Sequence, residues 1–252
     1  MMMLTFFLFV SSTICLYIFD DAPIQRAGMV EYVGRQASIL ETGRAEGAFN
    51  LSRLKGRPNL FGVGAVEGLD GEITIWDSRL LVTRVREQRL EPAEGWNHRA
   101  IFLVWAEVAR WVDQPIPDEI RTQGQLQQLV RAKATEAGID PDDPFPFRVT
   151  GRVASLEWHV NVDQTDGQPI DQRRFERSKE RFQETDLMVE ILGFHSTAHA
   201  GVFIKNSSTD ANQPPDALHL HVRPQNRPGV TGHVDRLTLG KGMTLSLPAI
   251  NQ

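Results

Sequence analysis

Three histidines near the C-terminal end constrain the fold of this chain more than any other feature. His219 and His221 are two residues apart, and His233 follows after residues 223–232, which contain two prolines, two glycines and an asparagine. An H-x-H pair on a strand directs both imidazoles to one face, and the intervening composition is typical of a turn. A hairpin would return His233 to the pair, and three neutral imidazoles suit a divalent transition metal with one open position. The alternative is an exposed polar strand that carries histidines by chance.

Composition places the chain among folded globular proteins. Its 252 residues are 41% hydrophobic and 23% charged, which fits one unit or two small, tightly joined units. The net charge of −5 and the lack of a basic stripe argue against a nucleic-acid partner. Cys15 is the only cysteine, so an intrachain disulfide and a thiolate metal cluster are both excluded. Any metal site must therefore use histidines and carboxylates.

Residues 1–19 differ from the rest of the chain. Residues 4–19 are nearly all apolar, which is long for the apolar region of a signal peptide and short for a spanning helix. No lysine or arginine precedes them. We expect export or an N-terminal membrane anchor through residues 1–19, with a cytoplasmic protein and a misassigned start as the alternative.

The remaining sequence is predicted to form short strands separated by turns. Residues 100–109 are apolar enough for a buried strand, although a helix is also possible. The clearest helix is predicted to begin after Asp118 as N-cap and to end at Gly138. Residues 173–185 are highly charged and are interpreted as a solvated helix face.

A proline-rich break at residues 140–146 is the best candidate for a boundary between two halves. We therefore expect a leader or anchor over residues 1–21, an N-terminal β-rich half with one helix over residues 22–140, and a C-terminal β-rich half over residues 141–252 that carries the metal ligands. The predicted class is an α/β fold that is rich in β-structure, with mixed sheets and two packed halves.

A glycine run at residues 62–68 invites interpretation as a phosphate-binding loop. We reject it, because Asp70-Gly71 predicts a hairpin into another strand, whereas a dinucleotide fingerprint opens a helix. Gly62 and Gly64 instead indicate close backbone approach. Glu72 is then expected at a strand entrance, where its carboxylate can face a cleft, although such a residue is more often on the surface.

These segments together resemble the α-acetolactate decarboxylases. The similarity extends over about residues 47–240 and is carried by residues 60–64 (LFGVG), 68–73 (GLDGEI), 219–221 (HLH) and 232–234 (GHV). The resemblance implies a lyase that converts 2-acetolactate, or a similar 2-hydroxy-3-oxo acid, to acetoin and CO2. It also implies that His219, His221 and His233 bind zinc in the cleft between the two packed halves, that Glu72 has a catalytic role, and that the protein is a homodimer.

The implied chemistry is physically reasonable. A β-keto acid loses CO2 when its ketone oxygen can hold the resulting electron pair, and a metal chelated by the ketone and its neighbouring hydroxyl is the required Lewis acid. A nearby carboxylic acid can protonate the carbon that loses CO2 or shuttle the hydroxyl proton. Glu72 is the candidate, and its pKa would have to be raised by a dry cleft.

Two departures from the family pattern concern charged residues. The position that aligns with the family's carboxylate-binding arginine holds His159, which we predict as the second catalytic residue. Arg148 and Arg152 are near it in sequence but are expected to point elsewhere. Arginine and histidine are not interchangeable in bidentate carboxylate binding. No side-chain carboxylate follows Asp235, although the family brings a C-terminal glutamate to the metal.

A third departure adds histidines. Where the family usually has Gly-Phe-Trp-Thr-Pro, residues 193–197 (GFHST) place His195, and His199 follows them. If they face the cleft, one could close the metal coordination, or one could adjoin the ligands and change the substrate; otherwise they lie on a loop surface. The alternatives to a decarboxylase are a divergent zinc-binding protein without decarboxylase activity and a metallohydrolase that uses zinc-bound hydroxide.

Overall fold

Two β-sheets form most of the molecule. The computed structural model describes residues 21–205 and 215–250. The first sheet has the order β1-β2-β8-β4-β5-β6-β7, with β3 also paired to β8. Its strands are β1 (Gln25–Ala27), β2 (Val30–Gly34), β3 (Phe49–Asn50), β4 (Leu60–Val66), β5 (Glu72–Trp76), β6 (Arg79–Arg86), β7 (Arg89–Ala93) and β8 (Arg99–Glu107).

The second sheet has the order β11-β12-β13-β10-β14-β9 and an additional pairing between β10 and β11. Its strands are β9 (Trp111–Pro115), β10 (Phe145–Asn161), β11 (Lys179–His195), β12 (Leu218–Pro224), β13 (Gly232–Leu239) and β14 (Thr244–Pro248). Because β10 pairs with both β11 and β13, while β12 joins β11 to β13, these four strands close into a small ring.

The described helices are short or peripheral: α1 (Ser38–Thr42), α2 (Gln123–Glu136), α3 (Gln172–Arg177) and two 3-10 turns, Leu51–Leu54 and Glu67–Leu69. The expected β-rich architecture with two halves is confirmed. The pairs between its described strands are antiparallel rather than mixed, because tight turns join many successive strands and leave no room for parallel crossovers.

Apolar side chains of both sheets meet in one core layer. Phe61, Val63 and Phe102 of the first sheet belong to the same buried cluster as Leu192 and Phe194 of the second. Strand β8 is buried along nearly its whole length, as predicted for residues 100–109. The backbones of β4 and β8 lie so close that a Cβ on Gly64 would stand 2.2 Å from the Phe102 carbonyl oxygen, which confirms the close approach expected there.

Two local predictions differ from the structure. The helix expected after Asp118 begins at Gln123, because Thr122 and Gln125 form a reciprocal capping box that satisfies the first free N–H groups. The charged segment 173–185 is a helix only over Gln172–Arg177, and β11 begins at Lys179. Pairing with β10 overrides its polar composition, since Lys179 lies opposite Asn161.

The predicted leader, residues 1–19, lies outside the described residues, so export and anchoring remain predictions. Among the residues that are described, no helix is long and apolar enough to span a membrane. The boundary at residues 140–146 also remains a prediction. Strand β9, which precedes it, pairs with β14 in the second sheet.

Candidate metal centre and adjoining cavity

The predicted hairpin brings the three histidines together. His219 and His221 project from the same face of β12, and His221 lies directly opposite His233 of β13. One ring nitrogen from each histidine lies within 4.8 Å of the corresponding nitrogens of the other two. The geometry therefore agrees with the metal cluster expected from the H-x-H pattern.

Hydrogen bonding fixes the tautomer of His219. Its Nδ1 contacts the backbone carbonyl of Phe203, and a carbonyl can only accept, so Nδ1 must carry the proton. Nε2 of His219 then has a free lone pair. That atom lies 3.2 Å from Nδ1 of His233. Two nitrogens bound to one tetrahedral ion at about 2.0–2.1 Å stand about 3.3 Å apart, which is close to this separation.

A chain of hydroxyl groups fixes the tautomer of His221. The Thr231 hydroxyl donates to the Val222 carbonyl at 3.1 Å, which uses its only proton. Thr74 must therefore donate to Thr231, and it accepts in turn from Nδ1 of His221 at 3.0 Å. Nε2 of His221 is left with a lone pair, and it is buried without a hydrogen-bond partner in the described part of the chain. An orphaned acceptor of this kind is what a metal ligand requires.

Burial keeps the three rings neutral. It lowers the pKa of His219 to about 4 and the pKa values of His221 and His233 well below the ordinary value for histidine. Neutral imidazoles bind metals without first losing a proton. The Nδ1–H groups of His219 and His221 are held by protein acceptors. A donor set of three imidazole nitrogens oriented in this way fits a divalent transition metal such as zinc.

Glu72 reaches the cluster from the first sheet. The predicted Asp70-Gly71 hairpin is present, and Gly71 adopts a φ of 128° that favours glycine. Its strand β5 presents Glu72, which is buried, with Oε2 3.6 Å from Nε2 of His221. Oε1 accepts the backbone N–H of Asn161 at 3.4 Å. Burial outweighs this bond and raises the pKa of Glu72 well above its usual value, as the expected role requires.

His159 extends the row of histidines by one strand. It lies opposite His233, so His159, His233 and His221 occupy neighbouring positions across β10, β13 and β12. Its Nδ1 donates to the Asp235 carboxylate at 2.8 Å, and Nε2 lies 4.0 Å from Oε1 of Glu72. Burial lowers the pKa of His159 even though Asp235 opposes that effect, so the ring is neutral with an acceptor nitrogen facing Glu72.

The other two added histidines do not line the cavity. His195 is buried and stacks on Phe145, with ring centroids 4.8 Å apart. The ring of His199 packs against the rings of Tyr32 and Phe203, and its Nδ1 lies 2.8 Å from the Ser196 hydroxyl. The two residues therefore contribute neither a fourth ligand nor a group beside the ligands in this structure.

The two arginines also point elsewhere, as expected. Arg148 lies over the ring of Trp111, 4.4 Å from its centroid. Arg152 donates to the backbone carbonyl of Asp186 and lies 3.5 Å from its carboxylate.

A cavity of about 290 Å³ lies between the sheets beside this cluster. Its polar lining includes Glu72, His159, His219, His233, Asp235 and Asn161, together with Lys179 from β11. Ile39, Leu40, Ala65, Phe102 and Phe175 supply its apolar part. A pocket that combines apolar side chains with convergent polar groups is typical of a small-molecule site.

Sequence reasoning missed Asp235, Asn161 and Lys179 as cavity residues. Asp235 carried a signal, because it is two residues after His233 and therefore on the same strand face. Asn161 has the same relation to His159. Lys179 lay in a segment predicted to be helical, so its face could not be assigned.

Comparison with known proteins gives a consistent result for the fold. No protein-family profile matches the sequence, and no curated protein matches it. Among solved structures, α-acetolactate decarboxylase from Bacillus subtilis strain 168 is 19% identical, with a TM-score of 0.66 over 87% of this chain and 85% of that chain. The enzyme from Bacillus subtilis subspecies spizizenii is 18% identical, with a TM-score of 0.66 over 87% and 85%. The chain therefore has the fold of the α-acetolactate decarboxylases.

A Staphylococcus aureus protein of unknown function, described as similar to α-acetolactate decarboxylase, is 14% identical and has a TM-score of 0.60 over 86% of this chain and 84% of that chain. The acetolactate decarboxylase fold thus occurs in proteins far apart in sequence. The resemblance predicted from the sequence motifs is confirmed for the fold. The catalytic roles of Glu72 and His159 and the metal-ligand roles of the three histidines stay predictions.

Proposed function

We propose that this protein is a zinc-dependent lyase that decarboxylates 2-acetolactate, or a similar small 2-hydroxy-3-oxo acid, to acetoin and CO2. The observation that carries the proposal is the meeting of Glu72 with the histidine cluster across the cleft, 3.6 Å from His221. A metal-binding surface alone would not need a buried carboxyl group from the opposite sheet. The decarboxylase fold supports the same assignment.

His219, His221 and His233 would hold the metal. When bound, it would supply the Lewis acid that stabilises negative charge on the ketone oxygen as CO2 departs. The histidines leave positions for a chelating substrate, because three protein ligands do not complete the coordination. His219 and His221 are already in the tautomer that presents Nε2 to the cluster, so neither ring must reorganise to bind.

Glu72 supplies the proton that the reaction consumes. A carboxylate leaves as neutral CO2, so acetoin forms only when one proton is added to the carbon that loses it. Burial raises the pKa of Glu72 well above its usual value, which favours the protonated carboxyl group that can donate from this position. His159 faces Oε1 of Glu72 through Nε2 and is oriented by Asp235. His159 would therefore position the Glu72 carboxyl group without serving as a metal ligand.

The second candidate is a zinc-binding protein of the same fold without decarboxylase activity. The observation that favours it is His159, which stands at the position of the family's arginine and is committed to Asp235. A neutral imidazole held in this way cannot provide the bidentate grip of a guanidinium on a carboxylate. Export or anchoring through residues 1–19 and a homodimer belong to the proposal in either case.

The deciding experiment measures bound metal on the purified protein and then acetoin and CO2 from racemic 2-acetolactate. About one zinc per chain together with acetoin is the expected result. Zinc without acetoin would contradict the decarboxylase and support the second candidate. Loss of the zinc stoichiometry in His221→Ala, but not in Glu72→Gln, would assign the two residues to different roles.

A further inference from the structure

Lys179 is a nearly buried cation in the wall of the same cavity. It is the first residue of β11, and its side chain is only 11% exposed. The ammonium lies 2.8 Å from a carboxylate oxygen of Glu176 and 4.5 Å from the ring centroid of Phe175. These two contacts hold the positive charge at a defined position beside the cavity.

The strand register places Lys179 close to the reacting groups. Lys179 is directly opposite Asn161 of β10, so the two side chains share one face of the sheet. The backbone N–H of Asn161 donates to Oε1 of Glu72, while Oε2 of Glu72 faces His221. Glu72 thus lies between the histidine cluster and the Asn161–Lys179 pair.

The ion pair with Glu176 does not use up the ammonium. Arg181 donates to the same carboxylate at 2.6 Å and to the Glu176 backbone carbonyl at 3.0 Å, so Glu176 has a second, more exposed cation. A lysine ammonium has three N–H donors, and Glu176 accepts one of them. Among the residues that the structure describes, two donors of Lys179 therefore remain for a ligand.

Asn161 adds an unused polar group at the same place. Its side chain lines the cavity and is buried, and Oδ1 has no hydrogen-bond partner among the residues that the structure describes. A buried acceptor without a partner is costly unless a ligand or water compensates. The amide can present either its oxygen or its NH2 group to a ligand next to Lys179.

We propose that Lys179 binds the carboxylate of a small 2-hydroxy acid in this cavity, with Asn161 at its side, and so takes over the task for which His159 is unsuited. The inference rests on the proposed function, since it names the group that selects an anionic substrate there. Asp235, the acidic group that lines the cavity beside His159, is bound to that ring, and Glu176 is held by Arg181. Lys205 is the other lysine in the described lining, but it is exposed.

The test uses a pair of probes that differ in one charge. The zinc-loaded protein is titrated calorimetrically with 2,3-dihydroxy-2-methylbutanoate, which has no ketone and cannot lose CO2, and with neutral 2,3-butanediol. We expect Lys179→Met to weaken binding of the acid roughly 10- to 100-fold and to leave the diol unchanged. Lys179→Arg should retain most of the preference for the acid.

Lys133→Met is the matched control, because Lys133 forms the same kind of ion pair with Glu136 on α2, outside the cavity. It should bind both probes like the wild type. Zinc content and the urea midpoint of each variant show that it is folded. An unchanged affinity of Lys179→Met for the acid overturns the proposal. The proposal is also overturned if the wild type binds the acid no more tightly than the diol, or if Lys205→Met rather than Lys179→Met loses affinity for the acid.

Turnover separates this inference from the proposed function. If the wild type forms acetoin, Lys179→Met should raise KM by a similar factor, and an unchanged KM would overturn the carboxylate site while the decarboxylase stands. If no acetoin forms but the acid still binds through Lys179, the carboxylate site is supported and the decarboxylase is contradicted.

Discussion

The two walls of the cavity hold their polar groups in different ways. On the metal-centre wall, His219 and His221 each donate a hydrogen bond through Nδ1–H. The acceptor is a backbone carbonyl for His219 and a threonine hydroxyl for His221. On the Asn161–Lys179 wall, Asn161 has a buried oxygen without a partner in the described part of the chain, and Lys179 has donors beyond the one that contacts Glu176.

We interpret this difference as that between a wall suited to a ligand that stays bound and a wall suited to a ligand that exchanges. Fixed tautomers and buried acceptors preorganise the histidine wall for an ion that stays bound. Groups left open cost about 1–3 kcal/mol each when they are buried without a partner, and a substrate that enters and leaves can recover that cost only while it is bound. The predictions below test whether each wall behaves accordingly.

The largest effect is expected on the metal-centre wall. His221→Ala removes one of three ligands, and we expect the affinity for zinc to fall by more than about 100-fold, beyond the effect typical of residues behind the ligands. Competition with a chromophoric chelator measures the change. His98→Ala, at a histidine near Arg84 and away from the cavity, is the control. Full retention of stoichiometric zinc in His221→Ala would remove this residue from the site.

The next effect concerns turnover and should leave the metal in place. Glu72→Gln keeps the shape of the side chain but removes the proton that a carboxylic acid can donate. Acetoin formation should fall by roughly 10²- to 10⁴-fold, the usual contribution of general acid catalysis. Zinc content of the same sample is the control. An unchanged kcat would show that Glu72 is outside the mechanism.

The histidine cluster could be predicted because its pattern is local. An H-x-H pair fixes two directions on one strand, and the turn composition before His233 determines where the third imidazole returns. The Asp70-Gly71 hairpin and the buried strand at residues 100–109 were predictable for the same reason. Each depends on the intrinsic preferences of a few adjacent residues.

The Asn161–Lys179 wall depends on strand register, which no local pattern specifies. Lys179 lies beside Asn161 only because β10 and β11, two strands of 17 residues each, pair along nearly their whole length. The polar composition of residues 179–186 gave no sign of a strand. The sequence likewise left open whether His195 and His199 face the cleft, because tertiary packing decides it and places them against Phe145 and Tyr32. Asp235 could in principle have been predicted as a cavity residue, because it is two residues after His233 and therefore on the same strand face.

A smaller effect should follow from the hydroxyl chain behind His221. Thr74→Val removes the acceptor for the Nδ1–H group of His221, so the His221 ring loses the contact that fixes its tautomer. We expect zinc affinity to fall roughly 10- to 100-fold, with the fold intact. Thr74→Ser should restore most of it, and Thr150→Val, in a half-buried strand position of β10, should have no effect. Equal affinity in Thr74→Val and the wild type would show that the chain does not orient His221.

The smallest effect tests a histidine that belongs to neither wall. Burial, helped by the charge of Arg131, lowers the pKa of His195 to about 4, against an ordinary value of 6.5. Between these values the unfolded chain binds a proton that the folded chain does not, so this residue destabilises the fold increasingly as the pH falls from 6.5 towards 4. At pH 5.5 the loss should be roughly 1 kcal/mol.

His195→Leu should remove that part of the pH dependence. Urea unfolding of zinc-loaded wild type and variant at pH 7 and pH 5.5 measures it, and the difference between the two proteins cancels the contribution of the metal-centre histidines, which both retain. A variant that loses as much stability as the wild type would show that His195 is protonated in the folded protein. In that case its stacking on Phe145 would have to accommodate a charged ring.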